Sequence, residues 1–175
     1  CLFKLGSQRH EHLFPMANLG QHIGSFSMTE VGHGSNVRGI GTVAEFDAET
    51  DEFIIDTPND QSMKFWIGNS AESGTHTVVF AQLHTQGKNQ GVHAILCPLR
   101  HPQTGEITPG ITIRDCGMKQ GWQAVPNGCL RFDKVRVPRH NLLNRYAEVN
   151  RDGSYTSPIA HEGKRFAETL SALVF

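Results

Sequence analysis

The segments TVVFAQL at residues 77–83 and VHAILCPL at residues 92–99 decide the fold class of this chain. Both are almost continuously apolar and rich in Val, Ile, Leu and Phe, as strands buried on both faces are. The polar segment at 84–91 separates them. This arrangement predicts a deeply buried β-hairpin.

Further strand patterns surround this hairpin. Thr42–Phe46 and Glu52–Asp56 flank a polar connection and predict a second hairpin. Ile111–Asp115 alternates cleanly after a Pro-Gly turn. Cys129–Val137 also alternates but slips by one residue near Lys134, which predicts one strand with a β-bulge.

The two ends of the chain have a different character. Residues 1–24 predict a helix followed by a loop, and Glu162–Leu170 has helical composition with Phe166, Leu170 and Leu173 on one stripe. We therefore predict a mainly β fold, a small antiparallel β-barrel or sandwich of about six strands, with short helical flanks. Both ends stop within a pattern, so we expect a piece of a longer protein.

Composition limits the classes of partner. The chain of 175 residues has 16 Lys and Arg against 17 Asp and Glu, for a net charge of −1. Nucleic acid is not expected as a partner, because phosphate binding favours a basic excess. No apolar run is long enough for a membrane span.

Cysteines and histidines give no metal signature. The 4 cysteines form no CxxC pair and are expected to be reduced and buried. The 10 histidines are scattered without an HExxH motif. We predict no metal site.

Two short segments carry the strongest functional signal, namely Ser27–Gly41 (SMTEVGHGSNVRGIG) and Lys64–Asn69 (KFWIGN). Glycines let a backbone approach a flat or phosphorylated ligand closely, and Trp66 offers a ring to pack against it. A flexible loop and a core tryptophan are the structural alternatives. Together the segments favour a planar cofactor held against a sheet.

The polar residues of the first segment suit such a ligand. Thr29, Ser35 and Asn36 offer hydrogen bonds, and Arg38 offers a planar cation for an anion. Glu30 and His33 belong to no catalytic constellation and are expected to be structural hydrogen-bonding groups.

One segment matches the sequence pattern of a dinucleotide fingerprint but lacks its structural context. Gly39–Ala44 matches GxGxxA, but a strand pattern follows it where the fingerprint requires a helix. We reject a Rossmann interpretation and predict a turn leading into a strand.

The chain resembles the middle β-domain of the acyl-CoA dehydrogenase and acyl-CoA oxidase superfamily, and the oxidases most. The resemblance covers nearly the whole chain in the right order. It is carried by these blocks: Met28–Glu30, His33–Gly39, Phe53–Pro58, Lys64–Gly68, His93–Arg100, Pro109–Gly117, Phe132–Arg139 and Asn141–Leu143.

The resemblance implies three parts of the chain. Residues 1–24 would be the tail of an N-terminal helical domain, and 25–138 the β-barrel middle domain that binds FAD and acyl-CoA. Residues 139–175 would be a linker and the start of a C-terminal helical domain. The full-length protein would be a homodimer.

The resemblance also implies site residues. Thr29 would bond the flavin through its hydroxyl and backbone, with backbone contacts from Phe26 and Met28. Trp66 would flank the flavin, and Gly68 would approach it with its backbone. Ser35 and Asn36 would touch the acyl-CoA substrate or shape the loop.

The implied reaction is the first step of fatty-acid β-oxidation. A glutamate in the C-terminal domain, beyond Phe175, would remove the α-proton of acyl-CoA while a hydride passes to FAD. This would give trans-2-enoyl-CoA, and molecular oxygen would take the electrons to yield hydrogen peroxide. No catalytic residue is assigned within the chain, and the chain alone is expected to be inactive.

Gly68 favours an oxidase, since dehydrogenases usually carry a hydroxyl residue at this position. Two alternatives stay open: a dehydrogenase that passes electrons to an electron-transfer flavoprotein, and a non-catalytic β-barrel module that binds a ligand or a protein. An oxidase is expected in the peroxisome or a related organelle such as the glycosome, and a dehydrogenase in the mitochondrion. The segment 117–128 departs from the oxidase pattern, which leaves the acyl chain length open.

Overall fold

The computed structural model describes residues 1–171. The α-helices of this part are α1 (Leu2–Leu5), α2 (Leu13–Asn18) and α3 (Glu162–Ser171). Its strands are β1 (Gly24–Ser27), β2 (Val43–Asp47), β3 (Glu52–Asp56), β4 (Lys64–Ile67), β5 (His76–Thr85), β6 (Lys88–Pro98), β7 (Ile111–Asp115), β8 (Gly128–Phe132), β9 (Val135–Pro138), β10 (Glu148–Val149) and β11 (Tyr155–Thr156).

The strands form a large sheet, a smaller sheet and a short ribbon. The large sheet contains β1, β5, β2, β3 and β9, with β6 also paired to β5. The smaller sheet has the order β4-β8-β7, and β10 pairs with β11. The prediction of a mainly β, barrel-like domain is confirmed.

Strand β5 organises the large sheet. Because β6 pairs with β5 from His76 to Thr85, β1 and β2 share the opposite edge of β5. Strand β1 pairs with the first part of this edge and β2 with the last part, and both pairings are parallel. The chain between them, residues 28–42, therefore leaves the sheet edge opposite the middle of β5; we call it the excursion loop.

Both faces of β5 are buried, as its apolar sequence predicts. Val79, Ala81 and Leu83 pack into a core between the sheets. Val78 and Phe80 point the other way, into a second core that includes residues of the three helices. The period-2 alternation of a strand assigns successive side chains to opposite cores.

Both predicted hairpins are confirmed as β2–β3 and β5–β6. The sequence predicts only antiparallel hairpins, but β5 also pairs in parallel with β1 and β2. These pairings join segments that lie far apart in the sequence. Short strands β1 and β4 were not predicted, since four residues are too few to establish an alternation.

The single strand predicted over Cys129–Val137 is wrong. The chain turns at Lys134, which has φ +49°, and crosses from β8 in the smaller sheet to β9 in the large sheet. The slip in alternation marks this change of sheet: Leu130 and Phe132 before the turn, and Val135 and Val137 after it, all face one core.

The predicted C-terminal helix is confirmed as α3. Phe166 and Leu170 pack on the second core. Leu173, the third residue of the predicted stripe, lies outside the described residues. Within residues 1–171, no helix has the length and apolarity to cross a membrane.

Candidate functional site

The two segments that carry the functional signal lie side by side. The start of the excursion loop runs antiparallel to the chain at 61–65, with a bridge between Glu30 and Lys64. The Phe65 N–H donates to the Thr29 carbonyl at 3.0 Å, and the Val31 N–H donates to the Met63 carbonyl at 3.0 Å. Residues far apart in the sequence thus form one surface.

A buried ion pair lies beneath this surface. Lys64 Nζ donates to Glu30 Oε1 at 3.0 Å, to the Met28 carbonyl at 3.0 Å and to the Phe80 carbonyl at 2.7 Å. These three bonds use all the donors of the ammonium group. Phe80 lies on β5 between the segment paired with β1 and the segment paired with β2. Lys64 Nζ therefore bonds the edge of β5 at the position where strand pairing is interrupted.

Glu30 closes the excursion loop on itself. Its carboxylate accepts hydrogen bonds from the Gly41 N–H at 2.7 Å, the Thr42 N–H at 2.9 Å and the Thr42 hydroxyl at 2.6 Å. His33 Nδ1 lies 3.0 Å from Glu30 Oε2, the oxygen that also accepts from the Gly41 N–H. The prediction that Glu30 and His33 are structural hydrogen-bonding groups agrees with these contacts.

Burial and pairing have opposite effects on the pKa values of Glu30 and Lys64. Burial raises the pKa of Glu30, but the charge of Lys64 and the bonds from Thr42 and Gly41 outweigh it, and the pKa ends below its ordinary value. Burial lowers the pKa of Lys64 to about 8, against the opposing effect of Glu30. Pairing therefore favours the charged form of both groups, and burial opposes it.

Above the pair, Thr29 and Trp66 are exposed. The Thr29 hydroxyl makes no hydrogen bond within residues 1–171, and the Trp66 side chain is 51% exposed. Trp66 has φ +67° where the register of β4 and β8 shifts, and this irregularity turns its ring outward. The alternative of a core tryptophan is therefore wrong.

Phe26 and Gly68 line one cleft of about 540 Å³ together with Asn69 and the apolar residues Leu2, Phe3, Phe14 and Val78. A Cβ added at Gly68 would meet no atom of residues 1–171 within 4 Å. Position 68 therefore lacks a side chain although space for one exists.

Met28 differs from the other predicted residues. Its side chain is buried in the second core, and its carbonyl oxygen accepts from Lys64. It supports the surface from below.

Ser35 and Asn36 lie on the exposed arm of the excursion loop. Asn36 packs over the backbone of Gly39, so closely that a Cβ there would collide with it. Arg38 places its guanidinium 4.8 Å from the Phe166 ring centre of α3. Ser35 and Asn36 make no hydrogen bond to Thr29, Trp66 or Gly68 within the part of the chain that the structure describes.

The segment that departs from the oxidase pattern borders Trp66. Lys119 Nζ lies 5.9 Å from the Trp66 ring centre, and Asn127 Nδ2 donates to the Trp66 carbonyl at 3.3 Å. Met118 and Trp122 are highly exposed. We call residues 117–127 the flanking loop.

The sequence does not reveal the role of Lys64. A strand lysine beside aromatic residues suggests an exposed edge, and only the pairing with Glu30 in three dimensions shows that it is buried. Among residues 1–171 no group of three or more His, Cys, Asp or Glu side chains is placed to hold a metal.

The chain is similar to known proteins in both sequence and structure. The family model "Acyl-CoA dehydrogenase, middle domain" matches residues 25–135. "Acyl-coenzyme A oxidase 3, peroxisomal" of Arabidopsis thaliana is 48% identical over 96% of this chain and 25% of its own length. The solved acyl-CoA oxidase 1 of Arabidopsis thaliana has a TM-score of 0.89 and 37% identity over 95% of this chain and 26% of that one.

A solved acyl-CoA oxidase-1 of Caenorhabditis elegans, complexed with FAD and ATP, has a TM-score of 0.87 and 39% identity over 91% of this chain and 25% of that one. The chain thus spans about a quarter of the length of these relatives. With the family model matched over most of its length, the chain belongs to the acyl-CoA dehydrogenase middle-domain family.

Proposed function

We propose that this chain is the middle domain of an FAD-dependent acyl-CoA oxidase, which converts acyl-CoA and oxygen to trans-2-enoyl-CoA and hydrogen peroxide. The observation that carries the proposal is the bond from the Phe65 N–H to the Thr29 carbonyl at 3.0 Å. It holds the exposed Thr29 hydroxyl beside an outward-facing indole, and the relatives that match almost the whole chain are acyl-CoA oxidases.

The residues fit a flavin. A flat heteroaromatic ring needs a stacking surface, a hydrogen-bonding group at its edge and a backbone that it can approach. Trp66 offers an exposed ring face, Thr29 a hydroxyl that has no partner among residues 1–171, and Gly68 a backbone with open space above it. The neighbouring cleft of about 540 Å³ is mostly apolar.

In this proposal each residue has a defined task. FAD, when bound, would supply the acceptor for the two electrons of the dehydrogenation. Thr29 would hold the cofactor by hydrogen bonding, and Trp66 would pack against its ring. The aromatic lining of Phe3, Phe14 and Phe26 would keep water away from the apolar acyl chain.

Glu30 does not serve as the base in this proposal. Both of its oxygens already accept hydrogen bonds, from Thr42 and Lys64 on one side and from Gly41 on the other. The base, the rest of the acyl cleft and the homodimer contacts are assigned to the full-length protein. We also propose a peroxisomal location, because relatives of the chain are peroxisomal acyl-coenzyme A oxidases.

The full-length protein tests the reaction. We expect a yellow protein that forms enoyl-CoA and hydrogen peroxide in equal amounts from a saturated acyl-CoA in air. Enoyl-CoA formation only with a protein electron acceptor would instead identify a dehydrogenase. A colourless protein that takes up no added FAD would identify a binding module.

Thr29→Val tests the cofactor assignment. The change removes the hydroxyl but keeps the shape of the side chain, so we expect FAD to bind about fivefold more weakly, in line with roughly 1 kcal/mol for one hydrogen bond. Titration of the FAD-free full-length protein, followed by flavin fluorescence, measures the affinity.

The matched control is Thr112→Val, on the exposed face of β7. It should leave FAD affinity unchanged. Equal affinity in the Thr29 variant and the wild type would remove Thr29 from the proposed site.

A further inference from the structure

Two thiols meet at the base of the flanking loop. Cys116 follows the last residue of β7, and Cys129 lies in β8, with the two Sγ atoms 3.5 Å apart. Arg114 is opposite Cys129 in the ladder, so Cys116 is the diagonal neighbour of Cys129 on the same face. The Cys116 N–H donates to the Asn127 carbonyl at 3.0 Å and holds the two chain segments together at this point.

We propose that Cys116 and Cys129 are a site of reversible oxidation, at which hydrogen peroxide converts the two thiols to a disulfide. The site itself depends only on the geometry of the two thiols. The peroxide source that we assign to it, the enzyme's own turnover, rests on the proposed function.

The reaction balances in two steps. The Cys116 thiolate attacks one peroxide oxygen, so that an S–O bond forms, the O–O bond breaks and the departing hydroxide takes up a proton to become water. Cys129 sulfur then attacks the Cys116 sulfur, forming the S–S bond and releasing the second water with the Cys129 proton. The thiols lose two electrons and the peroxide gains them.

The environment sets the order of the steps. Cys116 is partly exposed, whereas Cys129 is 8% exposed. Burial and the nearby Cys116 raise the pKa of the Cys129 thiol to about 12. Cys116 is therefore the thiol that meets peroxide, and Cys129 is the resolving thiol beneath it.

Disulfide formation requires movement of the backbone as well as of the sulfurs, because diagonal neighbours lie about 7–8 Å apart and a disulfide needs Cα atoms within about 7 Å. The sulfurs must approach by about 1.5 Å to reach a bond length of about 2 Å. Gly117, which follows Cys116, has φ +80° and no atom near its Cβ position, so the backbone there can adjust. Cys97, by contrast, is fully buried with its sulfur directed at the Pro98 carbonyl.

A disulfide between Cys116 and Cys129 would affect the flanking loop beside Trp66. The flanking loop between the two cysteines contacts Trp66 through Lys119 and Asn127. A disulfide would fix the base of this loop beside the proposed flavin surface. Peroxide released there would act on the segment nearest to its source.

Peptide mapping of the full-length protein tests the site. Trypsin cuts after Arg114, Lys119 and Arg131, so Cys116 and Cys129 fall in separate peptides, 115–119 and 120–131. After treatment with hydrogen peroxide, denaturation and alkylation, we expect these two peptides to be linked within one molecule and to separate on reduction.

The variants distinguish this site from general oxidation. Cys129→Ser should abolish the linked pair and leave Cys116 as a sulfenic acid that a dimedone probe labels, while Cys97→Ser should keep the linked pair. Oxidation of Cys116 without linkage to Cys129 in the wild type would overturn the proposal, as would linkage between molecules.

A second arm separates this inference from the proposed function. In air with acyl-CoA and no added peroxide, turnover should produce the same linked peptides, and exclusion of oxygen should suppress them. Linkage with added peroxide but none with acyl-CoA would support the thiol site and count against the oxidase reaction.

Discussion

Lys64→Met is expected to lower the free energy of opening of the excursion loop and β4 by roughly 3 kcal/mol or more. The change leaves the Glu30 carboxylate buried without its cation, and it leaves the Met28 and Phe80 carbonyls without their donor. Because these bonds hold Thr29 beside Trp66, the same variant should also lose FAD from the full-length protein.

Native-state hydrogen exchange of the full-length protein measures this effect for each segment. Peptides covering 28–42 and 61–67 should lose protection, whereas those from the β2–β3 hairpin should keep it. The double variant with Glu30→Gln removes both charges and should recover part of the loss, since no unpaired charge is then buried.

A partly exposed carboxylate, that of Glu52, provides the control. Glu52→Gln removes one partner of Arg136 at the surface, where an ion pair contributes less than about 1 kcal/mol. Comparable losses in the Glu52 and Lys64 variants would show that the buried pair has no special role in the loop.

Gly68→Thr is expected to reduce peroxide formation about tenfold relative to turnover with a small dye as electron acceptor, a change of about 1.4 kcal/mol in activation free energy. The new side chain enters open space in the cleft, so folding should be retained. Flavin absorbance measures the FAD content of the variant, and both rates are normalised to it. We expect the added methyl and hydroxyl groups to restrict the approach of oxygen to this part of the site.

Steady-state assays of the full-length enzyme compare the two acceptors at saturating acyl-CoA. Gly121→Thr is the matched control, because a Cβ there also meets no atom within 4 Å; it should leave both rates unchanged. An equal fall in both rates in the Gly68 variant would indicate damage to substrate binding and contradict a role in oxygen access.

Local patterns predicted the parts of the fold that depend on neighbouring residues. The β2–β3 and β5–β6 hairpins follow from alternation and apolar runs on either side of polar connections, and α3 follows from helical spacing. The parallel pairing of β1 and β2 with β5 could not be predicted in this way, since no short-range signal specifies which distant segment a strand edge accepts.

The same distinction applies to the site. A resemblance in sequence indicated Thr29, Trp66 and Gly68, and the structure gives the first two an exposed position. The sequence did not indicate that Lys64 is buried, because a lysine is almost never fully buried unless it has a partner. Its partner, Glu30, is 34 residues away in the sequence.

The two apolar runs at 77–83 and 92–99 by themselves determined that a hairpin buried on both faces lies at the centre of this protein, because side-chain alternation and hydrophobic burial are local properties. Only the tertiary structure decided which segments of the chain pair with the edge of that hairpin. Strands β1 and β2 share this edge, and the excursion loop leaves a gap that Lys64 fills. The site surface depends on this arrangement, since a buried charge requires partners that only the folded chain brings within hydrogen-bonding distance.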